Sequence, residues 1–322
     1  MPRERCRHGS FQAKDNLCVV GGRDTSDTLI AAIDCYDPAT NAWTEVGTLP
    51  EEYVTSDFAA YALGDTVHLI GGYNQFYEAL DQVTLIDMSD FTDIKFEKGI
   101  SITTPRGDIS VVAVDNDSAL MISGGFTHLN DFAAPLASVE QFQIGSQAWG
   151  PVDALNEERG DKQLINLNGK IYAIGGEGRV DASGPAVPDD VFAIAAGQGS
   201  IVLDTVEVLD LTADDEVEWK IEGDMPSSLF RFGASGWKEE GGDGDSSSVN
   251  NDGVIFVFGG QVGFEKECEC FRTTEKVMVF DPSKSKTLGQ AAPSSAGVAI
   301  RLHVVPGHVF AAAAMVMMTM LA

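Results

Sequence analysis

LCVVGG, residues 17–22, is a short apolar run that ends on a glycine doublet. The first four doublets of the chain lie 50, 53 and 51 residues apart. A period near ~50 residues with a glycine signature is typical of blade-type repeats, so the chain predicts a repeat architecture. The other four runs of this kind are VHLIGG (67–72), ALMISGG (119–125), IYAIGG (171–176) and VIFVFGG (254–260).

Each repeat carries the pattern of four short strands, which we name a to d. Upstream of each doublet, two apolar runs flank a turn of Asn, Asp or Gly, such as Asp15-Asn16 or Asn168-Gly169. These residues tolerate the positive φ of two-residue hairpin turns, so the runs predict strands a and b. Downstream, an aromatic or aliphatic residue before Asp, as in Tyr36-Asp37, marks strand c. A large aromatic such as Trp43 then marks strand d, which completes the strand content of one propeller blade.

These features together resemble the kelch repeat family over roughly residues 5–282. The resemblance implies an all-β fold: one β-propeller with five clear four-stranded kelch-like blades and a partial, degenerate sixth. A β-sandwich with glycine-rich turns is the alternative, but sandwiches do not repeat sequence at this period. The expected blades cover about residues 5–50, 51–104, 105–157, 158–228 and 229–282. The resemblance rests on the doublets, on the strand d aromatics Trp43, Phe96, Trp149 and Trp219, and on Arg7, Arg106, Arg159 and Arg231 near the start of strand a.

Residues 283–322 repeat only the first half of this order. Arg301 precedes the apolar run LHVV, the turn Pro306-Gly307 and the run VFAAAAMV, without a doublet. The single propeller domain, 1–322, is therefore expected to include 283–322 as a degenerate partial blade. The alternative is a hydrophobic tail, since 309–322 is apolar or small throughout. Its 14 residues are fewer than the ~20 that cross a bilayer as a helix.

Composition restricts the class of partner and the compartment. The chain has 322 residues, 44% of them apolar, and a net charge of −28. Such an acidic protein repels nucleic acid and anionic membranes, so we expect neither as a partner unless 309–322 is an anchor. Five cysteines without paired spacing favour a reducing compartment and a cytoplasmic location, with Cys18 and Cys35 as small buried residues. A secreted or membrane-anchored protein is the alternative.

Strand direction places the b–c loops on one face of the propeller together with the d–a links. The longest insertions fall in these b–c loops, and insertions on one face of a repeat array often build a binding surface. The longest, 177–203, is apolar enough to predict that it folds back on the propeller or docks a partner, beside Tyr73, Tyr77, Phe126 and Phe264. By contrast, the sequence of 238–250 has no apolar anchor, which predicts a solvated loop. The expected partner face holds Arg23, Asp24, Tyr73, Asn74, Tyr77, Phe126, His128, Glu177, Arg179, Gln261 and Phe264, with Gln75 and Phe76 beside them.

The sequence offers no strong sign of catalysis. The pair Cys268-Glu269-Cys270 could bind zinc or copper, but a structural zinc site needs four ligands, and two loop thiols or a disulfide are the simpler interpretation. No Ser-His-Asp order, P-loop or HExxH string occurs. We therefore predict no catalytic residue, metal or cofactor, and a non-enzymatic scaffold that binds protein partners. The alternative is a sugar-type propeller enzyme with titratable groups of perturbed pKa converging in the central mouth.

Overall fold

The computed structural model of the chain describes residues 1–129, 132–183, 191–193, 198–213, 217–237 and 253–282. The expected partial blade, 283–322, and the expected solvated loop, 238–250, lie outside the described residues. Within them the chain forms antiparallel sheets and one short 3₁₀ helix, Glu51–Tyr53.

Blades 1 and 2 are complete four-stranded antiparallel sheets in the order a-b-c-d. Each b–c connection is a short loop without strands. Blade 1 contains β1 (Gly9–Ala13), β2 (Asn16–Val20), β3 (Ala32–Asp37) and β4 (Ala42–Thr48), and blade 2 contains β5 (Ala59–Leu63), β6 (Thr66–Ile70), β7 (Val83–Asp87) and β8 (Lys95–Lys98).

Blades 3 to 5 carry additional strands in their b–c connections, where the sequence has its insertions. In blade 4 the b and c strands themselves extend beyond the sheet as a long hairpin. Blade 3 contains β9 (Ser110–Val114), β10 (Ala119–Ser123), β13 (Val139–Gln143) and β14 (Ala148–Val152), with β11 (Phe126–Leu129) and β12 (Phe132–Pro135) as a separate hairpin. Blade 4 contains β15 (Gln163–Leu167), β16 (Lys170–Asp181), β18 (Gln198–Asp210) and β19 (Trp219–Asp224), with the short β17 (Phe192–Ala193) paired to β18. The described part of blade 5 contains β20 (Gly233–Trp237), β21 (Val254–Phe258) and β24 (Val277–Phe280), with β22 (Gln261–Glu265) and β23 (Cys270–Thr273) as a hairpin.

The glycine doublets connect successive blades. Both glycines of each doublet have positive φ, and a Cβ on Gly22 would lie 2.4 Å from the carbonyl oxygen of Cys6. The backbone N–H of Gly22 donates to the carbonyl of Thr55 in the link to the next blade, at 3.0 Å. The second glycine of the next three doublets makes the same bond. A side chain would both strain the backbone and separate neighbouring blades.

Apolar side chains fill the four interfaces between successive blades. Of the predicted strand d aromatics, Trp219 is 4% exposed between blades 3 and 4. Trp149 lies between blades 2 and 3, where its indole N–H donates to the carbonyl of Ile100 at 2.9 Å. Trp43 instead packs at a tilt against Tyr36, on the side of blade 1 that faces away from blade 2.

The arginines that were expected to share one repeat position occupy two different ones. Arg106 and Arg159 are fully buried in ion pairs with strand c acids, Glu140 at 2.6 Å and Glu207 at 2.8 Å. In blade 1 the matching arginine is Arg5, which pairs with Asp34. Arg7 and Arg231 lie two residues further along their links, beside the central channel. The repeat tolerates this shift because both positions precede strand a.

The cysteines meet the expectation in part: Cys18 and Cys35 are buried and the Cys268–Cys270 disulfide is one of the two alternatives, but the Cys18–Cys35 bond was not expected. Cys18 and Cys35 are directly opposed on β2 and β3 and form a buried disulfide. Cys268 and Cys270 form a second disulfide in the exposed turn between β22 and β23. Only Cys6 is free among the cysteines. Pairing across adjacent strands cannot be recognised from spacing, and two disulfides remove the support that the cysteine pattern lent to a reducing compartment.

Candidate functional site

The b–c loops of neighbouring blades contact one another, and together they form one surface, which we call the loop face. Arg23 of blade 1 donates to the carbonyl of Asn74 in blade 2 at 2.6 Å. The guanidinium of Arg179 in blade 4 lies 4.5 Å from the centre of the Phe126 ring in blade 3. The ring of Phe192 in blade 4 packs at a tilt of 48° against the ring of Phe264 in blade 5, with ring centres 4.9 Å apart. The predicted site residues are thus brought to one side of the propeller.

Four of the predicted partner-contacting residues are buried beneath this surface and not presented to solvent. Arg23, Tyr73, Phe126 and Glu177 are 0%, 6%, 3% and 7% exposed. Each follows a glycine doublet directly, and each forms a β-bridge with the link that leads into its own blade. Gln261 is the partly buried fifth member of the set. We expected Arg23, Tyr73, Phe126 and Glu177 to be exposed, and this is wrong. The residue directly after each doublet pairs with the link that leads into its blade, so it lies beneath the loop.

Three other predicted residues organise the loops of blades 1 and 2. The Asp24 carboxylate accepts from the backbone N–H of Ser26 and Thr28 at 2.8 and 2.9 Å. Asn74 holds the loop of blade 2 in the same way. The Tyr77 hydroxyl donates to Asp27 at 2.6 Å and accepts from Arg7 at 2.8 Å, which links two loops to the channel rim. The last predicted residue in this region, His128, is exposed on β11.

Exposed aromatic surface lies on the rest of the loop face. Phe76, at the tip of the blade 2 loop, is 81% exposed, and Phe192 is 38% exposed. Phe192, Phe264 and Phe271 form a mutual aromatic cluster that extends to Phe230. Phe192, in a described part of the 177–203 insertion, thus lies beside Phe264, which is one of the four residues named in the prediction; residues 184–190 and 194–197 of the insertion lie outside the described residues. Phe192 and Phe271 were missed because only the fold brings two separate hairpins together.

A ring of charged side chains lies at the mouth of the central channel, one from each blade. Its members are Arg7, Asp57, Asp108, Asp161 and Arg231, all with φ between 51° and 57°. The backbone N–H of Asp57 donates to the carbonyl of Arg7, and each later member donates to the one before it, at 2.8 to 3.1 Å. We call this set the channel ring. Sequence reasoning missed it because its members lie a repeat or more apart in the chain and are not all of one residue type.

The three carboxyl groups of the ring are close to one another and carry guanidinium partners only at the two ends. Arg7 lies 3.5 Å from Asp57, and Arg231 lies 2.9 Å from Asp161. Burial, with the neighbouring Asp57 charge, raises the pKa of Asp108 to about 7. Burial and Asp108 raise the pKa of Asp161 well above its ordinary value. These shifts favour the protonated forms of Asp108 and Asp161 relative to exposed carboxyls.

The ring opens into a cavity of about 780 Å³ that is lined by residues of all five blades. Lys162 lines it, and burial lowers the pKa of its ammonium group to about 7, while the Nζ donates to the carbonyl of Ser123. His8 lines it as well, and burial lowers the pKa of its imidazole to about 4. Among the described residues, no group of three or more His, Cys, Asp or Glu has the geometry to hold a metal ion. In the same part of the chain, no helix is long and apolar enough to cross a membrane.

Radially stacked four-stranded antiparallel sheets around a channel define a β-propeller. A solved structure titled "Structure of YjhT" is similar to the chain with a TM-score of 0.53. The match has 18% sequence identity and covers 68% of this chain and 70% of that one, so it shows the fold alone.

Among β-propeller proteins, the repeat sequence of the chain is similar to that of a particular family. The family profile described as "Kelch motif" matches residues 4–50 of the chain, which supports a kelch-repeat family. Kelch-like protein 40 from Mus musculus is 26% identical over 59% of this chain, and its Homo sapiens counterpart is 28% identical over the same share. Kelch-like protein 36 from Rattus norvegicus is 28% identical over 51% of the chain. The matched regions span between a quarter and a third of the length of these relatives, at 30%, 30% and 26%.

Proposed function

We propose that the chain is a protein-interaction scaffold that binds its partners through the loop face. The observation that carries the proposal is the exposed aromatic surface at Phe76 and Phe192, set on loops that brace one another. Aromatic residues concentrate binding energy at interfaces, and rigid loops reduce the entropy lost on binding. The kelch-like relatives support protein partners in general.

The buried members of the predicted site have a supporting role in this proposal. Arg23 lies 3.8 Å from the centre of the Tyr77 ring and bonds to Ser56 at 2.9 Å. Glu177 accepts from Ser200 at 2.6 Å and from Arg179 at 2.5 Å. These bonds hold the loops in position, so the contact residues are the aromatics above them, not Arg23 or Glu177.

The test compares single alanine variants of the chain. Phe76→Ala and Phe192→Ala should each reduce capture of a partner by roughly tenfold or more, because hot spots carry ≥2 kcal/mol. Ile221→Ala, a 56% exposed residue on strand d of blade 4, is the control. All three should unfold at the same urea concentration as the wild type. Equal capture by all three would overturn the loop face as the binding surface.

The channel mouth favours a second candidate function, the binding or conversion of a sugar-type small molecule. Titratable groups of perturbed pKa converge there, as such a site requires. Carboxyl and guanidinium groups are suitable partners for sugar hydroxyls, and about 780 Å³ is within the usual range of ligand pockets. The competing explanation is that the ring joins the blades, since its backbone bonds run from blade to blade.

Calorimetric titration with neutral and acidic monosaccharides separates these possibilities. A small-molecule site predicts saturable binding by the wild type that is lost in Asp108→Asn, with partner capture unchanged. Absence of binding by every sugar would leave the ring a structural feature. Turnover of a sugar by a wild type that captures no protein would overturn the scaffold proposal.

A further inference from the structure

The disulfide between Cys268 and Cys270 lies in the exposed turn of the hairpin that β22 and β23 form. Both of these cysteines are exposed, whereas Cys18 and Cys35 are 1% and 3% exposed within blade 1. A thiolate must reach a sulfur atom to break a disulfide, so access decides which bond exchanges first. The described residues thus contain one accessible disulfide and one protected one.

The two disulfides also differ in how much of the fold depends on them. Cys18 and Cys35 are 17 residues apart and join two strands of a blade, while Cys268 and Cys270 are 2 residues apart. A cross-link stabilises a fold mainly by restricting the unfolded chain, and the effect increases with the length of the closed loop. Loss of the Cys268–Cys270 bond should therefore leave the blades folded and act on its own hairpin.

The hairpin has few other supports. Among the described residues, its strands form a sheet of two, joined at four residue pairs with an irregularity between Val262 and Phe264. A hairpin of two strands is only marginally stable in water. Glu269, between the two cysteines, has a φ of 50°, which is unfavourable for a residue with a long side chain. Breaking the disulfide removes a covalent constraint on this turn and lets Glu269 relax.

The strand that begins at the disulfide carries part of the aromatic cluster on the loop face. Phe271 comes directly after Cys270 on β23. Its ring centre lies 6.0 Å from that of Phe192 and 5.5 Å from that of Phe264. Phe192 therefore packs against both strands of the hairpin, and a change in the turn at 266–269 alters the surface that supports it.

We propose that the Cys268–Cys270 disulfide is a site of thiol–disulfide exchange with small thiols, and that its reduction loosens the hairpin against which Phe192 packs. In the first step a thiolate bonds to one cysteine sulfur, the S–S bond breaks, and the other sulfur leaves as a thiolate that takes up a proton. A second thiolate then displaces the released cysteine sulfur from the mixed disulfide, and this sulfur is protonated in turn. Two thiols thus supply two electrons and two protons and become one small-molecule disulfide.

The charge of the turn selects among thiols. Glu267 and Glu269 flank Cys268 in the chain, and Arg272 pairs with Glu265 at 3.4 Å. Residues 265–272 hold three acids and two bases, a net charge of −1, within a chain of −28. This charge repels an anionic thiol such as glutathione and attracts a cationic one such as cysteamine. The preferred reactant is therefore a neutral or positively charged thiol.

Timed alkylation of the full chain tests the exchange. The native protein is incubated with cysteamine and quenched with iodoacetamide, and the alkylated cysteines are quantified by peptide mass spectrometry. We expect Cys268 and Cys270 to become alkylated at least about tenfold faster than Cys18 and Cys35, since protected bonds react only through opening. Cys6, which is free and exposed, is labelled without a reductant and is the control for alkylation.

Glutathione at the same thiolate concentration tests the selection by charge. It should reduce the Cys268–Cys270 bond several-fold more slowly than cysteamine does, and added salt should narrow the difference. Equal reduction of the two disulfides, or no reduction of Cys268–Cys270 at millimolar cysteamine, would overturn the exchange site. Equal rates with the two thiols would overturn the preference for a neutral or positive one.

Amide hydrogen exchange tests the effect on the hairpin. Cys268→Ser combined with Cys270→Ser fixes the open form without any thiol, and Cys6→Ser is the control that keeps both disulfides. We expect the amides of 261–273 to exchange about tenfold faster in the double variant, with blades 1 to 4 unchanged. Unchanged exchange at 261–273, or faster exchange in every blade, would overturn a local effect of this disulfide.

An effect of reduction on partner capture rests on the proposed function, whereas the alkylation and exchange measurements use the chain alone. Faster exchange at 261–273, together with full capture by Phe76→Ala and Phe192→Ala, would support the thiol site and reject the loop face as the binding surface. Loss of capture in Phe192→Ala, with unchanged exchange in the double serine variant, would do the reverse.

Discussion

Arg159 and Glu207 form a buried ion pair in which neither side chain reaches solvent. Arg159 also donates to the carbonyls of Gly175 and Thr205, at 3.0 Å each, and so joins the link to strands b and c of its blade. Removing one member of such a pair leaves a buried charge without compensation. The pair and its counterparts in blades 1 and 3 are thus the points at which a single substitution should do most damage.

We expect Arg159→Met to lower the free energy of unfolding by ~3–5 kcal/mol, as measured by urea denaturation. Arg159→Met combined with Glu207→Met should recover part of this loss, because no charge is then left buried. The control is Lys220→Met, which breaks the exposed pair of Lys220 with Glu218 and should change stability by less than ~0.5 kcal/mol. A loss in the double variant as large as the sum of two single losses would contradict the pairing.

Asp108 should make stability depend on pH. Its pKa is about 7 in the folded chain, because of burial and Asp57, against an ordinary value of 3.8. The folded state then binds the proton more tightly, so the stabilisation is fully present below about pH 4 and is lost as the pH rises to about 7. Asp161 shifts in the same direction, while Arg231 opposes both shifts.

Asp108→Asn should flatten the decline in melting temperature between pH 4 and pH 7, because the amide does not titrate. Asp37→Asn is the control: the Thr40 hydroxyl lowers the pKa of this exposed carboxyl, which acts in the opposite direction and at lower pH. An unchanged slope with Asp108→Asn would mean that Asp108 is ionised in the folded chain.

At the scale of the strand, the aromatic of strand d joins a blade to the preceding one. Trp219 on β19 is 4% exposed within the cluster between blades 3 and 4. Trp219→Ala should cost ~3–5 kcal/mol, because a large cavity would be left between two sheets. Ile221→Ala on the same strand, at a 56% exposed position, should stay within ~0.5 kcal/mol. Urea unfolding measures both, and equal costs would contradict a role for Trp219 between blades.

At the scale of the whole molecule, the stability of the propeller should depend on the residues after blade 5. Ending the chain at Ser295 removes the hairpin that the sequence predicts at 301–315. We expect a lower melting temperature and more aggregation, since open strand edges and apolar faces associate. An unchanged melting temperature on heating in dilute solution would assign those residues to a loose tail.

The architecture could be predicted from the sequence because its signals are local. A glycine doublet after an apolar run, an Asn/Asp/Gly turn and an aromatic residue on strand d each act over a few residues, and repetition at ~50 residues multiplies them. The number and order of the blade strands up to β24 followed from this pattern alone. The location of the insertions in the b–c loops, and so the loop face, followed from alternating strand direction.

What each residue does on that face was decided by the tertiary structure. Tyr73 and Phe126 are of the aromatic type that is common at binding surfaces, but the close approach of neighbouring blades buries them. Asp57, Asp108 and Asp161 lie about one repeat apart and carry no local signal, and they meet only because every blade turns the same position toward one channel. Turn chemistry and apolar spacing depend on neighbours in the chain, whereas burial, the raised pKa values of Asp108 and Asp161 and the Cys18–Cys35 disulfide depend on neighbours in space.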